Sequence, residues 1–396
     1  MTVLHNFYEY LPVSQNWAYN LIRHTPVDKL VIYAERYLKN NFYLPNALYL
    51  NDGLQGLGDV KLGFTASSNF ERAAGIVILI AEKILQLRQS YKYLNDIHVT
   101  GVDIVHSHFA TIAIKKSEIV KKSGCKHVVS FYGYDYEMVP RSDRRVLAAY
   151  RQLFGEADAF VCEGGHGAKI LANYGCPPDK IHIIKLGIDS AMVASTPRKK
   201  NRNQLHLVQI ANFTEKKGHI YSLRAFAKAL PLAPNMRLTL VGSRKREEDR
   251  DTERDIYQAI QEYGLQDYVE LVPKIDFADL SSYLRKFDVF IHPSCYAKNC
   301  DCEGGAPVVL LDAQAAGLPV ISTYHCDIPS EVIDKVTGLL SDEKDVDNIA
   351  ESIVKFYTMS EAAYHIFSRA CLHHVRTEYN LSDSGHKLAK LYGSLL

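Results

Sequence analysis

The sequence predicts an α/β protein of two doubly wound parallel-sheet domains facing each other across a cleft. Three observations carry this expectation. The chain has 396 residues, beyond the length at which a single hydrophobic core usually stops growing. Short apolar runs ending in Gly, Pro, Asn or Ser alternate with longer segments of helical period, which is the pattern of repeated strand-helix units. A polar stretch, Thr196-Pro197-Arg198-Lys199-Lys200-Asn201-Arg202-Asn203, separates two such series and reads as a linker.

In the first series, strands are predicted at residues 3–7, 29–33, 102–106, 127–131, 159–162 and 181–184, giving an amino-terminal domain over residues 1–195. The apolar stretch at residues 73–81 is closed by Glu82 and Lys83. It falls short of the ~20 residues a membrane helix needs and reads as a buried helix. After the linker, 196–204, strands at 205–210, 237–241, 268–272, 289–292 and 319–322 define a second domain, 205–377. The last segment, 378–396, has helical spacing at Leu388, Leu391 and Tyr392 with no strand after it. It is expected to pack back onto the first domain.

Apolar residues at 47% and charged residues at 23% are ordinary for a folded protein. A formal charge of +1 gives no global argument for nucleic acid or for an anionic surface, so any electrostatic function must be local. The eight cysteines are scattered apart from Cys295, Cys300 and Cys302, and Met1-Thr2-Val3-Leu4-His5 leads straight into a strand. Reduced thiols in a cytoplasm are expected. Cys295, Cys300 and Cys302 lack a fourth ligand in line for zinc and read as packed thiols.

Ligands of open parallel sheets bind beyond the carboxyl ends of the strands, where loops lead into helix N-termini. The unusual residues fall there: His106-Ser107-His108-Phe109, Phe131-Tyr132-Gly133-Tyr134-Asp135, Glu163-Gly164-Gly165-His166, Asn212-Phe213-Thr214-Glu215-Lys216-Lys217-Gly218, Val241-Gly242-Ser243, His292-Pro293-Ser294 and Glu303-Gly304-Gly305-Ala306-Pro307. In the last, Pro307 suits a first helical turn, Val308-Val309-Leu310-Leu311 continues it, and Gly317 with Pro319 ends it. The N–H groups of Gly305 and Ala306 can approach a phosphate closely, with Lys217 adding a point charge. An isolated Gly-Gly would be only a tight turn. Glu303 before it, Asp312 on the following helix and the Lys216-Lys217-Gly218 loop favour an anion site.

The stretch from Glu303-Gly304-Gly305-Ala306-Pro307 through Asp312-Ala313-Gln314-Ala315-Ala316-Gly317 resembles the donor-site helix of glycosyltransferase family 4, in its bacterial polysaccharide-biosynthesis branch. Supporting similarities are Glu215-Lys216-Lys217-Gly218-His219, Phe287-Asp288-Val289-Phe290-Ile291-His292-Pro293-Ser294, Gly175-Cys176-Pro177-Pro178-Asp179-Lys180-Ile181 and Lys185-Leu186-Gly187-Ile188-Asp189. The resemblance implies the GT-B fold, two Rossmann-like domains, and a retaining transferase moving a sugar from a UDP- or GDP-linked donor to a saccharide or lipid-linked acceptor. It further implies that Glu303 bonds sugar hydroxyls, Gly304 and Gly305 line the sugar, and backbone from Ala306 through Pro307 to Val308 meets the diphosphate. Asp312 would take the ribose, Lys217 the leaving group, and the Pro273-Lys274 turn the base. Gly242 opens the loop that ends in Arg244.

Three departures from the family pattern stand out. One extra residue separates the two acids, and the second is Asp312 rather than Glu. Asn212 stands where the family has an Arg, a loss that Arg244 can make good. Tyr132 replaces the His of a His-Gly-Tyr-Asp-like element, whose acceptor side here is Tyr132, Gly133 and Asp135. His108 or Tyr132 can position the acceptor hydroxyl, and Glu163 faces the cleft. No Asp-rich metal motif sits at a strand end, so neither a metal nor a cofactor is expected. Lys115, Lys116, Lys121, Lys122 and Lys126 surround a helix, either as a solvated face or as a peripheral contact with the inner face of a membrane. Two rival functions are a nucleotide-sugar 2-epimerase and a non-catalytic nucleotide-sugar binding protein.

Overall fold

The computed structural model describes residues 1–12, 15–38, 42–51, 90–200, 204–244 and 246–396. The stretch at 73–81, expected to be a buried helix, and linker residues 201–203 lie outside them. The described residues form two wholly parallel sheets. The first runs β3-β2-β1-β4-β5-β6-β7, with β1 Thr2–Tyr10, β2 Lys29–Tyr37, β3 Ala47–Leu50, β4 Ile104–His108, β5 Lys126–Ser130, β6 Ala159–Cys162 and β7 Ile181–Ile183. The second runs β10-β9-β8-β11-β12-β13, with β8 Leu205–Ile210, β9 Met236–Val241, β10 Val269–Val272, β11 Val289–Ile291, β12 Val320–Thr323 and β13 Gly338–Ser341.

Both orders reverse direction beside their first strand, so each sheet has a crevice at a switch point: β1/β4 in the first and β8/β11 in the second. Neither β3 nor β13 is expected from the sequence. Each has four residues and pairs on one side only. Gly338, which opens β13, reads as a turn in the sequence.

The second sheet is apolar on both faces, as parallel sheets are. Leu207, Leu238 and Ile291 pack with Phe226, Ile256 and Phe356 on one side, and Val208, Val241 and Phe290 with Leu310 and Ile328 on the other. The first sheet instead buries a histidine ladder. His5 Nδ1 lies 2.9 Å from His108 Nε2, and His106 bonds the Ser130 hydroxyl at 2.7 Å and the Tyr392 hydroxyl at 2.5 Å. Burial lowers His5 to about 3 and holds His106 and His108 well below the usual histidine range, so the ladder is neutral.

The Leu381–Leu395 helix carries Leu388, Leu391 and Tyr392 into the core of the first sheet, against Val3, Ile104, Val128 and Val161. Within the Ala110–Ser123 helix, Lys116 is buried over the rings of Tyr33 and Tyr93 and pairs with Glu35 at 3.4 Å. Lys126 lies on β5 and pairs with Asp158. The basic stripe expected from Lys115 to Lys126 therefore shrinks to Lys115, Lys121 and Lys122, which are exposed.

Candidate active site

The loops after β8 and β11 meet at the second switch point. The first carries Lys217, whose position is fixed from behind: the Gln209 side chain donates to the Lys217 carbonyl at 2.7 Å and accepts from the Ser222 hydroxyl at 2.7 Å. Gly218 follows at φ +71°, and a Cβ there would overlap the Pro293 carbonyl of the second loop. Only glycine permits that backbone approach.

The approach brings Lys217 Nζ to 2.6 Å from Glu303 Oε2. The Ser294 hydroxyl donates to Glu303 Oε1 at 2.9 Å, and His292 Nε2 lies 3.5 Å from the same oxygen. The Glu303 side chain is 5% exposed, and burial alone would raise its pKa. Lys217, His292 and Lys216 reverse that, holding the carboxyl well below the usual range. Glu303 is an ionised group in a prebuilt cationic nest.

The second cation is Lys216, which the sequence reading names only as part of the Lys216-Lys217-Gly218 loop. Its Nζ bonds Asp301 at 3.1 Å and the Cys302 carbonyl at 2.7 Å. Asn212 is exposed. Arg244, the candidate substitute for the missing Arg, is held by Glu247 at 3.1 Å and Glu253 at 3.4 Å, so its charge is already balanced within its own segment. Gly242 directly follows β9 and donates its N–H to the Val272 carbonyl at 2.8 Å. Pro273 and Lys274 form an exposed turn after edge strand β10, with Lys274 3.8 Å from Asp276.

The helix after Glu303 spans Val309–Ala315, two residues later than the Pro307 start expected. Its first turn is closed by tighter bonds, Leu310 N–H to Pro307 at 2.8 Å and Leu311 N–H to Val308 at 2.9 Å. Asp312 is half-buried, and burial pushes it up to about 7. Val308 packs between the two domains, touching the Ile184–Leu186 cluster of the first sheet and the Leu311–Val375 cluster.

Across the cleft, Gly133 lies against Gly304: a Cβ on either would overlap the other's backbone. The Glu163 carboxyl lies against Gly305. Burial, with Asp327 and then Glu303 as charged neighbours, pushes Glu163 up to about 8. Asp327, following β12, accepts the N–H of His166 at 2.8 Å. Glu137 accepts from His166 at 2.9 Å, from Arg141 at 2.8 Å and from Tyr296 of the opposite domain at 3.0 Å. A cavity of about 140 Å³ between the domains is lined by Glu163, Lys185, Ala306, Asp327, Glu331 and Tyr379. A larger depression, about 700 Å³, is lined by His206, Arg237 and Tyr268, at the amino ends of β8–β10, the opposite end from the one where parallel sheets bind ligands.

Two acceptor-side expectations are corrected. His108 does not face the cleft: it is 1% exposed, and its Nδ1 lies 2.9 Å from the Tyr132 hydroxyl while Nε2 meets His5. Both nitrogens and the Tyr132 hydroxyl are consumed within the core. Asp135 is fully buried and accepts the N–H groups of Ala110 and Tyr132, each at 3.1 Å. It fastens the first turn of the Ala110–Ser123 helix rather than an acceptor. Burial still pushes its carboxyl up to about 7.

The cysteines also rearrange. Cys295 is buried as a packed thiol, but Cys302 meets Cys326 and His325, the residues after β12. The rule that unusual residues follow strands would have found His325-Cys326-Asp327, had that tail been included.

The model for Glycosyltransferase Family 4 matches residues 68–191, and that for Glycosyl transferases group 1 matches residues 194–370. The putative colanic acid biosynthesis glycosyltransferase WcaL of Salmonella typhimurium is 27% identical over 297 residues, 73% of this chain and 70% of its own length. The amylovoran biosynthesis glycosyltransferase AmsK of Erwinia amylovora is 28% identical over 292 residues, 73% of this chain and 69% of its own length. Among solved structures, Anabaena Alr3699/HepE in complex with UDP matches 100% of both chains with a TM-score of 0.73 at 12% identity, a likeness of GT-B fold.

Proposed function

Because the chain belongs to glycosyltransferase family 4, we propose that it transfers a sugar from a UDP-linked donor to a saccharide or lipid-linked acceptor in polysaccharide assembly. The observation that carries the reading is the Lys217–Glu303 pair at the β8/β11 switch point. The printed names of WcaL and AmsK support the pathway class, and the UDP complex of the Anabaena protein supports the base.

Transfer needs negative charge on the departing diphosphate to be met by fixed donors. Lys217 and Lys216 supply cations, and the backbone from Ala306 to Val309 supplies a helix start. Lys217 bonds Glu303 now and exchanges that partner for the diphosphate, leaving Glu303 to accept from donor-sugar hydroxyls. Asp312 meets the ribose. Glu163, pushed up to about 8, is neutral at pH 7 and acts as a hydrogen-bond donor. The family resemblance, rather than any titration, carries the remaining step of the proposal: transfer with retention on the front face, the leaving phosphate taking the acceptor proton. No metal is required.

The 140 Å³ cavity is smaller than the ~300–1,000 Å³ typical of ligand sites. Entry of a nucleotide sugar therefore parts Gly133 from Gly304. The test is thermal unfolding against UDP, GDP, ADP and TDP and their sugar conjugates in chelator. Ligand at ~100 times its Kd stabilises by about 2.7 kcal/mol. A UDP-selective rise, lost in Lys217→Ala, supports the reading. No rise with any nucleotide overturns it, and free isomerised sugar without an acceptor product would favour the epimerase.

A further inference from the structure

Three soft or borderline metal ligands converge behind Glu303. Cys302 is the residue before it, while His325 and Cys326 arrive from the end of β12. Their ligand atoms all lie within 4.8 Å of one another, and Cys326 Sγ is 3.3 Å from His325 Nε2. A tetrahedral zinc with bonds of about 2.3 Å to sulfur and 2.0–2.1 Å to nitrogen separates S from N by roughly 3.5 Å and S from S by roughly 3.8 Å. The three atoms need move by no more than about an ångström to close on such an ion.

Two further features point the same way. Glu343 Oε1 accepts from His325 Nδ1 at 2.6 Å, the carboxylate–histidine arrangement that turns the other ring nitrogen outward as a lone pair. Cys326 holds φ +48°, a left-handed conformation that side chains rarely adopt and that persists where the surroundings over-determine it. Here it delivers Sγ to the cluster.

The same lone pair already has a partner. The Glu303 backbone N–H donates to His325 Nε2 at 3.1 Å. An sp² nitrogen has one in-plane lone pair, so an ion on Nε2 releases that amide. We propose that Cys302, Cys326 and His325 form a site for a thiophilic divalent cation of the zinc class, with solvent completing the tetrahedron, and that its occupation frees the Glu303 amide and loosens the nest around that carboxylate. The metal site stands apart from the transferase reading, whereas its inhibitory role rests on that reading because the effect runs through Glu303.

The full chain, purified under reductant and stripped with chelator, is titrated with Zn²⁺ against a chromophoric chelator and with Co²⁺ for thiolate-to-metal absorption. One equivalent is expected. Cys326→Ser, which leaves Cys302 as the one thiolate, should weaken binding and lower the thiolate band, and Glu343→Gln, which leaves all three ligands, should weaken zinc affinity by ~10–100-fold. Matching thermal midpoints of the metal-free variants and the parent separate lost ligation from lost folding. Absence of binding, or undiminished binding in Cys326→Ser, overturns the site. Backbone hydrogen exchange reads the coupling without any nucleotide: zinc should accelerate exchange at the Glu303 amide in the parent and not in Cys326→Ser. Slowed or unchanged exchange in the zinc-loaded parent overturns the coupling to Glu303, and sugar transfer by the metal-free parent that saturating zinc leaves unchanged overturns the inhibitory role.

Discussion

Glu303 and Glu163 are two glutamates in strand-end loops on opposite domains, both withdrawn from water, and their environments drive them in opposite directions. Around Glu303 stand Lys217, Lys216, His292 and the Ser294 hydroxyl, and the carboxyl stays ionised. Glu163 has Asp327 and Glu303 as charged neighbours, and burial keeps it protonated up to about pH 8. Residue type therefore does not assign a role here; the neighbours do, and groups whose pKa values are pushed apart divide the work between charge and neutral hydrogen bonding. One rim of the cleft is built to meet anions, and the other to offer a proton without carrying charge.

Removing the cation should disturb this contrast most. Lys217→Ala is expected to lower kcat by ~10²–10³-fold, the scale for loss of one donor aimed at developing charge, with Glu303 moving up toward Glu163. An assay under saturating donor that shows less than a tenfold loss would break the assignment. Glu303→Gln keeps the shape and removes the charge. Because it also releases Lys217, the stabilisation by UDP should persist while that by the UDP-sugar weakens, measured as paired shifts in Tm. Equal losses with both ligands would mean that Glu303 does not contact the sugar.

Glu163 sharpens the contrast through pH. A carboxyl whose folded pKa lies above its unfolded value binds more protons when folded. Its contribution is thus complete below about 4.5 and is lost as pH rises toward about 8. Glu163→Gln cannot ionise, so it should flatten the fall in Tm across that window. An unchanged slope would show that Glu163 is already ionised. The smallest effect on stability is expected at Lys115, Lys121 and Lys122, exposed residues whose joint reversal to Glu breaks a single ion pair among the described residues, the surface pair of Lys122 with Glu118. Salt-sensitive vesicle binding that disappears in the triple variant would give this second positive surface a role, and no binding at low salt would reduce it to a solvated face.

The second sheet was the more legible of the two. Its strands are apolar runs with polar tails, and the tails hold Lys217, Glu303 and Ser294 where the strand-end rule puts them. The first sheet misled because His108 and Asp135 also follow strands, yet their polar atoms turn inward to Tyr132, His5 and Ala110. Sequence position places a residue at a strand end but does not say which way its side chain turns. The Cys302–His325–Cys326 cluster was illegible for another reason. Its members lie on two different loops, and only the adjacency of β11 and β12 brings them together.

The hydroxyl of Tyr392 bonds His106 across 286 residues of sequence, and that separation has a meaning in time. At roughly 5–20 residues per second, a ribosome needs on the order of 14 to 57 seconds to travel from one to the other. Until then the first domain exposes the apolar seat that Leu388, Leu391 and Tyr392 will fill, while the second domain already has its own core. The later-made half is therefore free to finish folding first, and the earlier-made half waits for the last helix to return as its missing piece.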